Sequence, residues 1–364
     1  MDLVAFFIPD LRGGGAEKTV LTLLKGMSGR SMAIDLVVIN TDGIYMNQVP
    51  ASVRIINLEK KRVGSAVFSL AAYIRRYKPA AIISHLSHCN TAALIAKKMV
   101  KCNTRFIVVE HLILSSAYAG LKTAILKWLM KILYPSAHAI VAVAKNTAMD
   151  IEMALHLKKG SVQTIYNPVD EEEIKIKSVL HATLPWPDQA GVPLLIAAGR
   201  LVPEKDFETL ITAFSLLRKQ FPARLVILGD GPLRKKLLDR ISSLNRQSDI
   251  WLPGFTENPY AYMGIASLLV VSSVKEGFCL VLAEAMATGC PVVSTNCKAG
   301  PSEILEDGKY GRLVVPGDAA GLASAMAETL QSPPDKQLLK DRAAFFSVRK
   351  AVASYLQLAG VSRV

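Results

Sequence analysis

PLLIAAGRLVPEKDFETLITAFSLLRKQFPARLVIL, residues 193–228, carries the pattern that decides the fold. A short apolar run at 193–198 ends in a glycine and a cluster of charge at 199–206. A helical pattern follows over 207–219, and a second apolar run returns at 224–228. Continuous apolar runs are expected of strands covered on both faces, so the stretch reads as one parallel β-α-β unit. Downstream, strand candidates at 250–252, 268–271, 291–294 and 311–314 alternate with helical stretches at 232–244, 280–288 and 319–331. Upstream, a separate series runs through 3–8, 36–40, 81–84, 106–109 and 139–143, with a helix over 16–27. Alternation carried through twice predicts an α/β protein of two doubly wound domains, and 364 residues suffice for two cores. The seam falls at Asn167-Pro168-Val169-Asp170, where a proline and the acidic run 171–173 suggest a hinge. The expected division is therefore 1–168, 169–344, and a closing helix within 345–364 that packs back on the first domain.

The chain is 51% hydrophobic and 20% charged, which excludes a disordered protein. No apolar run approaches the roughly 18–20 residues of a membrane-crossing helix. The opening MDLVAFFIP has no basic leader and soon meets Pro9 and Asp10, so it reads as a buried strand rather than a signal peptide. Cys89, Cys102, Cys279, Cys290 and Cys297 contain no C-x-x-C pair. That argues for core thiols in a reducing cytoplasm over a disulfide framework or zinc site. The net charge of +13 is uneven: residues 1–166 hold 21 Lys+Arg against 9 Asp+Glu, and the rest hold 22 against 21. Such asymmetry implies an anionic partner met on one side, whether membrane, phosphate-bearing substrate or nucleic acid. Nucleic acid has the least support, because no helix-turn-helix, zinc finger or aromatic-interleaved basic stripe is present.

Ligands of open α/β sheets bind beyond the carboxyl ends of the strands, and two such edges invite a site in a cleft between the domains. The polar clusters fall at these ends. Arg12-Gly13-Gly14-Gly15-Ala16-Glu17 joins the first strand to a helix, and its bare glycines admit a phosphate or sugar to the backbone. The dinucleotide pattern G-x-G-x-x-G fails at Lys18, which disfavours a nicotinamide cofactor. In the second cluster, Arg200 offers a planar fork and Lys205 a mobile point charge. Together they suit a diphosphate without a metal, and the chain has no D-x-D pair to hold a divalent ion. Glu276 lies in a loop and Glu284 on the helix that starts near Leu280, placed to face one ligand. A carboxylate accepts two hydroxyl hydrogen bonds, as a sugar or ribose diol requires. Backbone N–H groups at 279–281 open that helix and can take an anion. His111, after the run FIVV, stands where a histidine can position or polarise a substrate. His85 and His88 follow another strand end and are candidates to approach an acceptor. The six histidines show no metal-ligand spacing, and neither a G-x-S-x-G elbow nor a P-loop is present. Taken singly, each cluster is equally compatible with solvated surface groups.

Taken together they resemble the retaining glycosyltransferases of family four, which have the two-Rossmann-domain GT-B fold. The matching segments are GGGAEK at 13–18, NPVD at 167–170, GRLVPEKDFETLI at 199–211, LVILGDGPLRKKL at 225–237, EGFCLVLAEAMATGCPVVST at 276–295 and GPSEILEDGKYGRLVVPGD at 300–318. The resemblance implies that Arg200 and Lys205 hold the donor diphosphate as it leaves. Glu284 would bind ribose hydroxyls and Glu276 those of the transferred sugar. Phe278, Cys279, Leu280 and Val281 would contact phosphate and sugar, and Gly254, Phe255 and Thr256 would border the base. Gly14 and Gly15 would close on the donor, with His111 beside the transferred sugar. One departure is Cys279, where family members often have glycine. The implied chemistry uses a nucleoside-diphosphate sugar, by family frequency UDP-linked, and needs no cofactor or metal. With cations for the leaving group and no convincing nucleophile, same-face attack assisted by the leaving phosphate is expected.

In this family the first domain mainly serves the acceptor, which makes the +12 half the acceptor half. Its segment GLKTAILKWLMKILY, residues 120–134, has a broad apolar arc with Trp128 and the lysines Lys122, Lys127 and Lys131. Such a helix suits a membrane interface with anionic headgroups. With Glu17 on the acceptor side, the expectation is a peripheral enzyme at the cytoplasmic membrane acting on a polyprenyl-diphosphate-linked glycan. The rival is the same donor chemistry on a lipopolysaccharide-core or soluble acceptor.

Overall fold

The computed structural model describes residues 2–115, 120–186 and 191–361. The chain forms two compact units, Met1–Pro168 with Val348–Val364, and Val169–Ser347.

The first unit begins with β1 (Leu3–Ile8), α1 (Gly15–Met27), β2 (Ala33–Val38), β3 (Val53–Asn57), α2 (Val67–Tyr77) and β4 (Ala81–His85). It continues through α3 (Ser87–Lys98), β5 (Arg105–Glu110), α4 (Leu121–Leu133), β6 (Ala139–Ala142), α5 (Lys145–Leu155) and β7 (Val162–Thr164). The described strands form a parallel seven-stranded sheet in the order β3-β2-β1-β4-β5-β6-β7. Its central strands are buried on both faces, which is why they read as unbroken apolar runs. The edge strand β3 has an exposed Arg54 whose guanidinium reaches across to the buried Asp35 of β2 at 2.7 Å.

The second unit starts with α6 (Glu171–Ser178), β8 (Leu194–Ala198), α7 (Phe207–Leu217), β9 (Arg224–Leu228), α8 (Arg234–Ser243) and β10 (Ile250–Gly254). Then come α9 (Pro259–Ile265), β11 (Leu268–Val271), α10 (Leu280–Thr288), β12 (Val292–Thr295), α11 (Pro301–Ile304), β13 (Arg312–Val314), α12 (Ala319–Gln331) and α13 (Lys336–Ala344). Its parallel sheet runs β10-β9-β8-β11-β12-β13. In both sheets the strand order reverses beside the first strand, between β1 and β4 and between β8 and β11. That is the switch point at which open sheets of this kind hold ligands.

The last helix, α14 (Val348–Ala359), belongs to the first unit, where it packs on α1. A Cβ on Gly26 of α1 would lie 2.3 Å from Val348 Cγ1, so only glycine admits this approach. One expectation needs correcting. Residues 345–347 stay with the second unit and the closing helix starts at Val348, because Phe346 is buried edge-on against Phe278. The acidic run 171–173 forms the first turn of α6, just after the boundary between the units at Pro168. There the Asp170 side chain accepts from Glu173 N at 3.0 Å, and the carboxylates meet the positive end of the helix.

Candidate active site

Beyond β8, the buried Leu201 anchors a loop whose Pro203–Lys205 turn leads into α7, where the Asp206 side chain accepts from Thr209 N. Beyond β11, the loop 272–279 leads to α10. These two loops are joined by several hydrogen bonds. Ser272 Oγ donates to Lys205 O at 2.8 Å and Val274 N to Glu204 O at 2.9 Å. Lys205 Nζ meets Glu276 Oε1 at 2.5 Å, and Ser273 Oγ donates to the same oxygen at 2.7 Å. The pair thus spans the switch point of the second sheet. Burial acts to lower the Lys205 pKa, but the adjacent Glu276 carboxylate more than offsets it, so the ammonium is held charged.

Glu284, on the buried face of α10, accepts from Tyr260 OH at 2.8 Å. The helix starts at Cys279, which sits in the left-handed region at φ +71° and explains the glycine often found there in the family. Burial, with Glu276 nearby, pushes the Cys279 thiol pKa well up, so it is a packed thiol rather than a nucleophile. The preceding turn is held by Gly300, at φ +90°, whose absent Cβ would lie 2.1 Å from Phe278 O. Leu280 and Val281 are half-buried in the first turn. Arg200 is exposed, and its side chain makes no ion pair among the described residues. At the end of β10, Gly254 is buried, Phe255 is exposed and Thr256 is half-buried.

Residue-pattern reading missed three groups here. Tyr260 and Ser273 orient the two glutamates. Arg234, at the start of α8, donates from Nη2 to Leu252 O at 2.8 Å, while its buried Nη1 has no partner. Arg234 stands in the quoted segment 225–237 and was detectable as a cation placed after a strand end; Tyr260 and Ser273 gave no such signal.

In the first unit, Gly14 caps α1 and Gly15 opens it. A Cβ on Gly14 would lie 2.4 Å from Glu17 Oε2, so this carboxylate folds back over the glycine turn. A carboxylate there opposes phosphate and favours sugar hydroxyls. At the end of β5, His111 is buried beside His85, with His85 Nδ1 and His111 Nε2 2.9 Å apart. Burial lowers the His111 pKa to about 4. His85 is wholly buried, which corrects its assignment as a group that approaches an acceptor; His88 is exposed. Next to them, burial raises the pKa of Glu110, which is clasped by Tyr134, Ser87 and Asn90. On α4, Leu121, Ile125, Trp128 and Ile132 form an exposed apolar stripe, with Trp128 61% exposed, while Met130 and Leu133 face the core. Lys122 and Lys131 are exposed and Lys127 is half-buried. No described helix is long and apolar enough to cross a membrane. Among the described residues no cluster of His, Cys, Asp or Glu is arranged to hold a metal ion.

Two doubly wound parallel units, one with cations and sugar-suited carboxylates at its switch point, define a glycosyltransferase of GT-B architecture. Residues 13–173 match Glycosyltransferase Family 4 and residues 186–344 match Glycosyl transferases group 1; the chain belongs to the family-four glycosyltransferases. It is 28% identical over 354 residues, 94% of each chain, to the N-acetylgalactosamine-N,N'-diacetylbacillosaminyl-diphospho-undecaprenol 4-alpha-N-acetylgalactosaminyltransferase of Campylobacter jejuni. A second Campylobacter jejuni relative, a GalNAc-alpha-(1->4)-GalNAc-alpha-(1->3)-diNAcBac-PP-undecaprenol alpha-1,4-N-acetyl-D-galactosaminyltransferase, is 24% identical and covers 98% of this chain and 97% of its own. The fold is shared with a glycosyltransferase of Rickettsia africae, at TM-score 0.81 and 15% identity over 98% of this chain and 97% of that one. It is shared also with Anabaena HepE in complex with UDP, at TM-score 0.78 and 19% identity over 99% and 100%.

Proposed function

We propose that this glycosyltransferase moves a hexose or N-acetylhexosamine, with retention, from a UDP-sugar to a polyprenyl-diphosphate-linked glycan at an anionic membrane surface facing the cytoplasm. The observation that carries the donor reading is the Lys205–Glu276 pair at the second switch point. Lys205 and the exposed Arg200 hold the diphosphate, supplying locally the charge a metal would otherwise give. Glu276 accepts from hydroxyls of the transferred sugar and Glu284 from the ribose. The amides at the start of α10 face phosphate, the segment 254–256 borders the base, and Gly14, Gly15 and His111 serve the sugar. As the bond from the anomeric carbon to the diphosphate oxygen breaks, the electron pair leaves with the diphosphate. The acceptor hydroxyl oxygen bonds on the same face, and its proton passes to the departing phosphate oxygen. Fixed cations lower the barrier by stabilising that leaving charge.

The acceptor reading is supported by the exposed apolar stripe of α4, by its lysines, and by the diphospho-undecaprenol in the names of the Campylobacter relatives. The test is a panel of nucleotide sugars against polyprenyl-diphosphate-linked and soluble glycans, with and without EDTA, scored by the diphosphate released and the anomeric configuration formed. UDP release with the lipid-linked acceptor, retention, and full activity in EDTA are expected. Equal rates on soluble glycans, together with failure to bind anionic vesicles, would overturn the acceptor assignment.

A further inference from the structure

The end of the first sheet carries a second histidine that the transfer scheme leaves unused. β4 and β5 run in register with His85 opposite Val109, so His85 emerges beside Glu110 and His111. The next residue, Leu86, is held at φ +75°, a conformation rare for a branched side chain. It is fixed there by Leu86 N donating to Val109 O and Asn90 N donating to Leu86 O. The buried His85 ring stacks with Phe6 at 6.0 Å between centroids, and the ring of Tyr355 of α14 lies 6.5 Å away. Among the described residues the single polar partner of His85 is His111, across 2.9 Å, and His85 Nε2 is buried without one.

This arrangement allows two proton placements. If His85 carried its proton on Nε2, a buried N–H would be left without an acceptor, which folded proteins almost never tolerate. An unsatisfied lone pair is the commoner exception. The proton therefore belongs on His85 Nδ1, which donates to His111 Nε2, and His111 must carry its own proton on Nδ1. His111 has no other hydrogen-bond partner among the described residues, and its Nδ1 is not a sealed atom, so that nitrogen is the accessible one. We propose that His85 is a positioning residue which, by donating to His111 Nε2, fixes His111 as an Nδ1–H donor toward an oxygen of the bound sugar. His111 is then a hydrogen-bond donor and not a general base. Burial lowers the pKa of both rings, His111 to about 4, in keeping with a neutral pair.

The functional half of this proposal rests on the sugar-transfer reading; the tautomer half does not. The test labels histidine imidazoles with 15N in the full chain and assigns His111 by its loss in His111→Gln. At pH 7.5, His111 is expected to be protonated at Nδ1 and bare at Nε2. His85→Phe is expected to move its proton largely to Nε2 and to lower kcat at least tenfold, with donor KM changed less than threefold. His85→Asn, whose amide nitrogen stands in place of Nδ1, is expected to restore the Nδ1–H form and to bring kcat within threefold of the parent. An Nε2–H His111 in the parent protein overturns the proposal, as does an unchanged tautomer in a folded His85→Phe. A shifted tautomer with unaltered kcat overturns the functional half alone. Should His85→Phe fail to fold, the parent spectrum and His85→Asn decide. Should no donor support transfer, the spectra still decide the tautomer.

Discussion

Removing one member of the Lys205–Glu276 pair is expected to destabilise the second unit more than removing both. The charged atoms lie 2.5 Å apart, and the side chains are 24% and 10% exposed. At an effective dielectric of about 20, unit charges roughly 3 Å apart attract by about 5 kcal/mol. Desolvation of two ions takes back several kcal/mol, so the intact pair gains little over an apolar replacement. A stranded charge is different: when fully buried it costs about 3–5 kcal/mol, and partial access of Lys205 to water reduces this to about 2 kcal/mol. Glu276→Gln keeps an oxygen for the Ser273 hydroxyl, so it removes charge and little else. Glu276→Gln and Lys205→Met are each expected to lose about 2 kcal/mol and the double variant about 0 kcal/mol, a coupling of about 4 kcal/mol. In a Trp128→Phe background the remaining tryptophans, Trp186 and Trp251, both lie in the second unit. Urea unfolding followed by their fluorescence therefore reports that unit, even where the two do not unfold together. In Glu276→Gln the Lys205 pKa is expected to fall below that of a free lysine, because burial, the largest influence, is then opposed only by Cys279 and Cys297. Losses that add within about 0.5 kcal/mol, or a Lys205 pKa that stays raised, would refute the reasoning.

Gly300→Ala places a methyl 2.1 Å from Phe278 O at φ +90°, so a loss of about 3 kcal/mol in thermal unfolding is expected, with weaker UDP binding as the start of α10 is displaced. Tyr260→Phe deletes a hydrogen bond to the buried Glu284 carboxylate; about 2 kcal/mol of stability and a raised donor KM are expected, and an unchanged KM would remove Tyr260 from the site. His111 has a folded pKa of about 4 against about 6.5 unfolded, so its neutral form contributes stability above pH 6.5 that is lost as pH falls toward 4. Relative to His111→Gln, the parent is expected to lose about 2 kcal/mol between pH 7.5 and pH 5, read from paired denaturation curves; a constant gap would place the pKa near that of a free histidine.

The doubly wound pattern was legible because the central strands, buried on both faces, admit only apolar residues. β3 and β7 escaped for the converse reason. β3 is an edge strand whose exposed positions include Arg54, and β7 is the three residues Val162–Thr164. Helix starts were legible where glycine or a turn precedes them. The helix that starts at the acidic run 171–173 was not read from the sequence, because its capping residue Asp170 continues the run of like charge. In the candidate site, Arg200, Lys205 and Glu276 were singled out by their place after strand ends, and Glu284 by its place on the helix that follows. The groups that aim them, Tyr260 and Ser273, act across chain separations of 24 and 3 residues and belong to common residue types. His85 shows the limit of such reading: its position at a strand end suggested contact with an acceptor, whereas the fold turns it inward toward His111.

Assigning residues 348–364 to the first unit changes what the charge of the chain means. That unit holds 24 Lys+Arg against 9 Asp+Glu, a net of +15, and the second holds 19 against 21, a net of −2. A unit that is slightly acidic overall cannot draw a diphosphate by its long-range field, so the attraction must be local and short-ranged. Lys205 is already neutralised by Glu276, which leaves Arg200 and Arg234, neither of them in an ion pair among the described residues, and the amides at the start of α10 as positive groups at that edge. Under the proposed function, a donor that brings two negative charges to Lys205 would compete with Glu276 for the ammonium and release the carboxylate toward hydroxyls. The two groups are coupled before any ligand arrives, and each would become available to its own part of the donor only when the other part is present. The surplus of the first unit has no part in this; under the proposed function, its lysines on α4 would meet an anionic surface beside the exposed apolar stripe.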